Sequence, residues 1–148
     1  MTFDQLEVAV ASADLEHRHR ISLILNELGH DPYCVSTVAQ YHEIAKEVQI
    51  GLIFSDWQFP DGDYRDILAL ANEREITLVA LLARSVGPED YQRAKSYGIF
   101  GVLQMPCHPT NVEWLLITAK RDAFARAELA HASFLRKSTD LLSTQRAT

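Results

Sequence analysis

The chain has 148 residues, of which 47% are hydrophobic and 23% charged, with a formal net charge of −6. This length allows one domain with a proper hydrophobic core. No apolar run approaches the roughly 20 residues that span a bilayer, and the N-terminal residues lack the basic start and apolar stretch of a secretory signal. We therefore expect a cytoplasmic protein with no membrane partner.

The charge is unevenly distributed along the chain. Residues 110–148 contain six basic and four acidic residues, so residues 1–109 carry a net charge of −8. Because nucleic-acid binding depends on phosphate neutralisation by Lys and Arg, we expect no direct nucleic-acid partner. Cys34 and Cys107 form neither a CxxC motif nor a disulfide framework. They are predicted to be reduced, buried thiols.

Short apolar segments alternate with helical patterns of about ten to fifteen residues, which is typical of a parallel sheet covered by helices. Gly29 is expected to end the first helix, because glycine tolerates a positive φ. The third strand is nearly all apolar, as a strand buried on both faces must be, and it leads into Asp56. The first half of the chain is predicted to contain a strand at 6–11, a helix at 15–28, a strand at 33–35, a helix at 38–48 and a strand at 50–55.

The second half continues the same alternation. A turn at 60–63 precedes a helix, a strand follows at 77–82, Pro88 opens a helix that ends near Gly98, and the fifth strand lies at 101–103. Right-handed crossovers place helices on both faces of such a sheet. The sequence therefore predicts a three-layer α/β (βα)5 fold, flavodoxin-like, with a parallel five-stranded sheet in the order 2-1-3-4-5.

The last helix differs from the others, because no Gly or Pro interrupts it. Thr110 and Glu113 are predicted to form a capping box at its start. We expect a domain of residues 1–120 followed by a helical extension of residues 121–148. This extended C-terminal helix is polar apart from one stripe, which is predicted to pack on a partner or a second copy. The stripe consists of Leu116, Ala119, Ala123, Ala127, Ala130 and Phe134.

Candidate functional residues are expected where the strands end, because function gathers at the carboxyl edge of an open parallel sheet. Asp56, after the third strand, is either a reactive carboxylate or a structural cap for nearby backbone N–H groups. His17 and His19 lie two residues apart on a helix and point in different directions, which argues against a metal site there. The sequence contains no Gly-rich phosphate loop, Ser/His/Asp set or paired catalytic carboxylates. We expect the protein not to be an enzyme.

Three segments, in this order, resemble the receiver domain of bacterial two-component response regulators. They are 25–29 at the end of the first helix, 56–61 with its Asp-x-x-x-Pro pattern, and 98–106 before the last helix. The resemblance covers residues 5 to about 120. It implies that Asp56 accepts a phosphoryl group from a histidine kinase, with a divalent cation held by an acidic pair. It also implies a lysine and a hydroxyl that bind the phosphoryl oxygens.

This sequence departs from the family pattern at the acidic pair. Ser12 and Ala13 occupy those two positions, and Asp14 follows one place later. Asp14 and Asp56 are therefore weak candidates for metal ligands, and the prediction is no metal site and no cofactor, with at most weak Mg²⁺ binding. A flavin-binding protein of similar architecture is disfavoured, because the segment 11–16 is acidic and would repel a phosphate.

The sequence also departs at the two groups that hold the phosphoryl oxygens. Leu82 stands at the hydroxyl position and Met105 at the lysine position. The favoured hypothesis is therefore an atypical receiver module that acts by contact with a histidine kinase or another signalling protein. A homodimer is expected through the C-terminal helix or through the face of helix 4, strand 5 and helix 5. The alternative is a functional phosphoacceptor, phosphorylated on Asp56.

Overall fold

Five parallel strands form the central sheet of the computed structural model, which describes residues 6–73, 77–83 and 87–146, with only the backbone described for 130, 133, 134 and 136–146. The sheet order is β2-β1-β3-β6-β7, which confirms the predicted order because β6 and β7 are its fourth and fifth strands along the chain. The elements are β1 (Val8–Ala11), α1 (Leu15–Glu27), β2 (Tyr33–Val35), α2 (Val38–Glu47), β3 (Leu52–Ser55), β4 (Gln58–Phe59), β5 (Gly62–Asp63), α3 (Tyr64–Asn72), β6 (Leu78–Ala83), α4 (Pro88–Ser96), β7 (Gly101–Gln104) and α5 (Pro109–Arg146).

The sheet is buried on both faces, which gives the predicted three-layer architecture. Alternate residues of a strand point to opposite faces, so Ile53 joins a core cluster with side chains of α2, α3 and α4, whereas Phe54 joins a second cluster with side chains of α1 and α5. All four residues of β1 and of β3 are buried. Each large apolar side chain buried in this way contributes about 1.5–3 kcal/mol, which holds β3 rigidly in the centre.

Local capping signals set the helix ends. Asp14 caps α1 by accepting hydrogen bonds from the backbone N–H groups of Glu16 and His17. Gly29 and Gly98 follow α1 and α4 with φ values of 88° and 100°, where a side chain would be strained. Both helices therefore end where the sequence predicted, at Gly29 and near Gly98. Pro88 is in the first turn of α4, also as expected.

A two-residue hairpin separates β3 from α3, where the sequence predicted only a turn. Gln58 pairs with Asp63 and Phe59 with Gly62 in an antiparallel ladder. Strands of two residues carry no readable alternation, which explains the omission. Asp63 then caps α3 in a reciprocal capping box with Asp66.

Helix α5 confirms the predicted long C-terminal helix, with 38 residues and a length of about 57 Å. The predicted capping box at Thr110 is wrong, because the helix begins at Pro109 and Thr110 is already inside its first turn. Proline is favoured there since it has no N–H to satisfy. Among the described residues, no helix is both long enough and apolar enough to cross a membrane.

The two cysteines have different environments. Cys107 is buried, and burial raises the pKa of its thiol. Cys34 is exposed, so the prediction of a buried thiol is wrong there. The reason is its place on β2, an edge strand, where Val35 faces the core and Cys34 faces away from it. Both thiols are free, as predicted.

The turn of the β4–β5 hairpin also caps α2. Asp61 accepts hydrogen bonds from the backbone N–H groups of Val38 (2.9 Å) and Ala39 (3.0 Å). These two bonds, that to Val38 first, hold the pKa of Asp61 below its usual value. The Asp61 carboxylate therefore links the segment after Asp56 to the start of α2.

Asp61→Asn is expected to lower the melting temperature at neutral pH. Because the folded-state pKa of Asp61 is depressed, its stabilisation is complete above the unfolded pKa of about 3.9 and is lost as the pH falls through the lower folded value. Thermal unfolding of both proteins between about pH 7 and pH 3 should show the difference closing at acid pH. Asp31→Asn, at an exposed position, is the control, and a pH-independent difference at Asp61 would contradict this account.

Candidate functional site

The candidate site lies at the carboxyl edge of the sheet, where β1 and β3 end in register beside β6. Ala11 pairs with Ser55, and Ser55 pairs with Leu81. The next residue of each strand segment, Ser12, Asp56 and Leu82, therefore falls in the following row. The backbone N–H of Asp56 donates to the Ala11 carbonyl oxygen at 2.9 Å, which fixes Asp56 beside β1. The structure thus brings these predicted positions to one edge.

Ser12 contacts Asp56 directly. Its hydroxyl donates to Asp56 Oδ2 at 2.5 Å and accepts from the backbone N–H of Asp14 at 3.1 Å. Ser12 is fully buried, and the Asp56 side chain is only 14% exposed. A hydrogen bond to a charged acceptor is stronger than one between neutral groups. Ser12 therefore satisfies one oxygen of the Asp56 carboxylate with a neutral donor.

The first turn of α1 supplies the other polar side chain of the site. His17 Nδ1 lies 3.6 Å from Asp56 Oδ1, and His17 Nε2 lies 3.9 Å from Asp14 Oδ2. Both distances are longer than hydrogen bonds. The imidazole is 14% exposed and thus lies mostly inside the protein, between two carboxylates. Arg18, the next residue, donates from Nη1 to the Ser12 carbonyl oxygen at 2.8 Å.

Among the residues that the structure describes, those on the opposite side of the site are apolar. Leu82 and Met105 are both buried and belong to the same core cluster as Phe54 and Leu103. The backbone N–H of Met105 donates to the Ala83 carbonyl oxygen at 2.7 Å, which extends the pairing of the last two strands toward the site. Neither side chain offers a hydrogen-bond donor to an anion at Asp56. Ala13 is exposed and makes no polar side-chain contribution.

Trp57 follows Asp56 and packs inward. Its ring makes an edge-to-face contact with Tyr64, with 5.0 Å between the ring centroids, and it packs against the core cluster on the α2–α3 face. Its indole Nε1 is buried with no hydrogen-bond partner among the described residues. The contact explains why a large aromatic side chain is accommodated beside Asp56. It also makes the Trp57 fluorescence a reporter of changes at this site.

The residues at this edge do not fit a Mg²⁺ site. Mg²⁺ demands an octahedral set of oxygen ligands, usually including one or two carboxylates. Here Asp14 Oδ1 is engaged by two helix N–H groups, Asp56 Oδ2 accepts from Ser12, and ring nitrogens of His17 lie 3.6 Å from Asp56 Oδ1 and 3.9 Å from Asp14 Oδ2. No group of three or more His, Cys, Asp or Glu side chains in the described part of the chain is arranged to hold a metal ion.

Sequence reasoning missed His17 and the donor role of Ser12. From the sequence, His17 was considered only together with His19, as two possible ligands of one metal ion. A usable signal was present, since the first turn of a helix that follows β1 begins at the carboxyl edge. Residues in that turn can face Asp56, and His17 is three positions after Asp14, on the same side of the helix.

Comparison with known proteins relates this chain to solved structures. The sequence matches no protein-family model and no curated protein. Chemotaxis response regulator CheY4 of Vibrio cholerae superposes with a TM-score of 0.68 at 19% identity, covering 77% of this chain and 98% of that chain. The beryllofluoride-activated NtrC4 receiver domain dimer gives 0.72 at 20% identity, covering 78% and 97%. The chain therefore has the fold of response-regulator receiver domains, which confirms the fold predicted from sequence.

A further solved structure also covers the long helix. A yeast Spc42 trimeric coiled-coil segment fused to another protein matches with a TM-score of 0.76 at 15% identity, over 97% of this chain and 98% of that chain. The receiver-domain structures cover 77% and 78% of this chain, so the additional coverage includes part of α5. At these identities the likeness describes fold and not function.

Proposed function

We propose that this chain is an atypical receiver module of two-component signal transduction, which acts by protein contact with little or no Mg²⁺-dependent phosphorylation switching. The main support for the proposal is the set of side chains that surround the Asp56 carboxylate. Its carboxylate accepts from the buried Ser12 hydroxyl and faces the His17 imidazole, whereas Leu82 and Met105 beside it are apolar. The fold supports the receiver assignment, and the site chemistry supports the atypical one.

Phosphoryl transfer to a carboxylate depends on cations and donors that neutralise the equatorial oxygens of the phosphoryl group. A hydrogen bond to a charged group contributes about 1.5–3 kcal/mol. At Asp56 the apolar side chains of Leu82 and Met105 supply no such bond, and the described residues around Asp56 hold no group of side chains that fits a metal ion. We therefore expect both the rate of phosphorylation and the stability of a phosphorylated state to be low.

Intact-mass measurement after incubation with Mg²⁺ and a small acyl-phosphate donor tests this proposal. We expect no phosphorylated species and no change in Trp57 fluorescence, also with beryllofluoride. The fluorescence is measured in a Trp114→Phe background, since Trp114 is exposed and would add its own emission. A mass shift and a fluorescence response that both disappear in Asp56→Asn would instead support the alternative, a working phosphoacceptor.

The second part of the proposal is the contact surface, which we place on α5 in the helical extension of residues 121–148. Val112, Leu116 and Ala119 are buried against the domain, but no described side chain from residue 120 onward is buried. Three large apolar side chains on this outer part are exposed, Phe124 by 44%, Leu129 by 67% and Leu135 by 50%. A domain of residues 1–120 would thus carry a helix that offers an apolar surface to a partner.

Three of the exposed apolar side chains of α5 lie along one side of the helix. Ile117 and Phe124 are seven residues apart, and Leu135 is eleven residues further, so all three point within about 20° of one another. We propose a second copy of the chain as the occupant, because an identical helix would present the same apolar side chains to this line. A histidine kinase or another signalling protein is the competing partner.

Two neighbours support this choice of partner. The NtrC4 receiver domain was solved as a dimer. The structure that matches almost the whole chain carries a trimeric coiled coil in its fused segment. The predicted stripe through Ala123 and Ala127 lies to one side of the exposed line, at about 60–120° around the helix. Ala127 is exposed and Ala123 is partly exposed, so small residues border the line and allow close helix approach.

A further inference from the structure

We propose that the outer surface of α1 takes part in the same contact between two copies of the chain as the exposed line of α5. This inference rests on the proposed function, because it takes a second copy as the partner, and it extends the contact from the C-terminal helix onto the domain. The surface concerned, the α1–α5 face, is defined by four exposed side chains, Leu15 and Leu23 on α1 and Trp114 and Ile117 on α5.

The exposed large apolar side chains are distributed unevenly between the two helical layers. α1 and α5 cover one side of the sheet. Among the described side chains, every exposed large apolar one lies on these two helices except Tyr97, which follows α4. Leu15 and Trp114 are the most exposed on the α1–α5 face, by 68% and 62%. One exposed apolar side chain is ordinary, but several on one surface are typical of a protein contact.

The two leucines of α1 lie on one side of the helix. Leu15 and Leu23 are about 80° apart around the axis, and the exposed His19 lies midway between them. Ile21 and Leu25, which are fully buried, lie at about 120–160° from His19. α1 therefore packs into the core with one side and presents a second apolar side to the solvent.

The α1–α5 face is continuous with the exposed line of α5. α1 follows β1 and α5 follows β7, so both helices begin at the carboxyl edge of the parallel sheet. Arg20 Nη2 donates to the Cys107 carbonyl oxygen at 2.8 Å, which ties α1 to the segment that leads into α5. Ile117 belongs both to this face and to the exposed line. A second copy that packs along the line is therefore brought against the α1–α5 face.

The area of the contact supports a second copy as the occupant. Residues 121–146 of α5 form a cylinder about 39 Å long and about 10 Å wide. This surface offers on the order of 400 Å², about half of the roughly 800 Å² per partner that is typical of a stable interface. α1 is about 20 Å long, and with the adjacent part of α5 it adds a similar area. Neither part is sufficient alone, so a chain that ends at Lys120 is still expected to be monomeric.

The charge of the α1–α5 face does not oppose contact between two acidic chains. α1 contains two basic and two acidic residues, and residues 109–120 contain one of each. The net charge of −8 over residues 1–109 therefore comes from outside α1. Because like charges repel within a Debye length of about 10 Å, a surface without net charge suits self-association better than one that carries the acidic excess.

Leu23→Glu is expected to raise the dissociation constant of the dimer by at least about tenfold, because the contact would bury the added charge. Leu15→Glu should act in the same direction, and it serves for the test if Leu23→Glu does not fold. The matched control is Tyr97→Glu, which makes the same kind of change at the exposed aromatic side chain outside the two helices and should leave the constant unchanged. Analytical ultracentrifugation of the full chain over a concentration series gives the constant, and circular dichroism establishes folding.

The outcomes separate this inference from the proposed function. Weakened association in the α1 variants with an unchanged Tyr97→Glu supports the inference. If the α1 variants associated as tightly as the unaltered protein while Phe124→Glu dissociated, the contact would be confined to α5, and the inference alone would fail. An equal effect of Tyr97→Glu, or a monomeric intact chain, would also overturn it. Phosphorylation of the unaltered protein on Asp56 would overturn the proposed lack of switching, whereas weakened association in the α1 variants would still uphold the inference.

Discussion

Removal of the chain after Lys120 is expected to convert a dimer into a monomer. The deleted segment contains Phe124 and Leu135, whose exposed side chains form the outer part of the proposed contact. The segment that remains keeps Val112, Leu116 and Ala119, which pack into the core. Sedimentation equilibrium should give twice the monomer mass for the intact chain and the monomer mass for the shortened chain.

Point substitutions in the intact chain test the same contact without shortening it. Phe124→Glu places a charge on the apolar line and should shift the equilibrium toward monomer by at least about tenfold, because a buried unpaired charge is strongly unfavourable in a helix interface. Arg126→Gln, on the opposite side of the helix, is the control and should leave the dimer intact. Self-association through α5 would be excluded if the intact chain were a monomer. It would also be excluded if the dimer persisted both after removal of the chain beyond Lys120 and in Phe124→Glu.

Ser12→Asp is expected to destabilise the folded protein by about 3–5 kcal/mol. Ser12 is fully buried and its hydroxyl donates to Asp56 Oδ2. The substitution replaces this donor with a second carboxylate, and like charges in contact with little solvent repel each other strongly. Typical domains have unfolding free energies of 5–15 kcal/mol, so this change would remove a large part of the stability. Chemical denaturation at neutral pH measures the effect.

The pH dependence identifies repulsion as the cause. Below about pH 4 the two carboxyl groups would share a proton, so the destabilisation relative to Ser12→Asn should decline with falling pH. Ser12→Asn has a side chain of the same size with no charge and provides the matched control. If Ser12→Asp were as stable as Ser12→Asn at neutral pH, the site would already hold a compensating cation, which would contradict the lack of fit for Mg²⁺.

The effects expected at α5 and at Ser12 depend on the same division of the molecule. The domain places Asp56 on a strand that is buried on both faces, so the site cannot relax when a charge is added. The outer part of α5 has no described side chain in the core, so it can be changed without disturbing the sheet. The expected effects are therefore separable, one on stability and the other on association.

The fold was predictable because its signals are local and repeated. Short apolar strands alternating with amphipathic helices specify a parallel sheet, and residues such as Gly29, Gly98 and Pro88 mark the helix ends with one strong conformational preference each. The errors fell where local signals are weak. The two-residue strands Gln58–Phe59 and Gly62–Asp63 are too short for periodicity, and α5 begins at Pro109, two residues before the first helical position that a cap at Thr110 implies.

By itself, then, the sequence determined the order of the sheet, the place of Asp56 at its carboxyl edge and the long C-terminal helix. These follow from apolar periodicity and from the residue types at strand ends. Only the tertiary structure decided what surrounds Asp56. The Ser12 hydroxyl reaches it across 44 residues of sequence, and His17 turns toward it from α1. Such contacts depend on strand register and on the rotation of a helix about its axis, which packing of the whole core sets and no local pattern encodes.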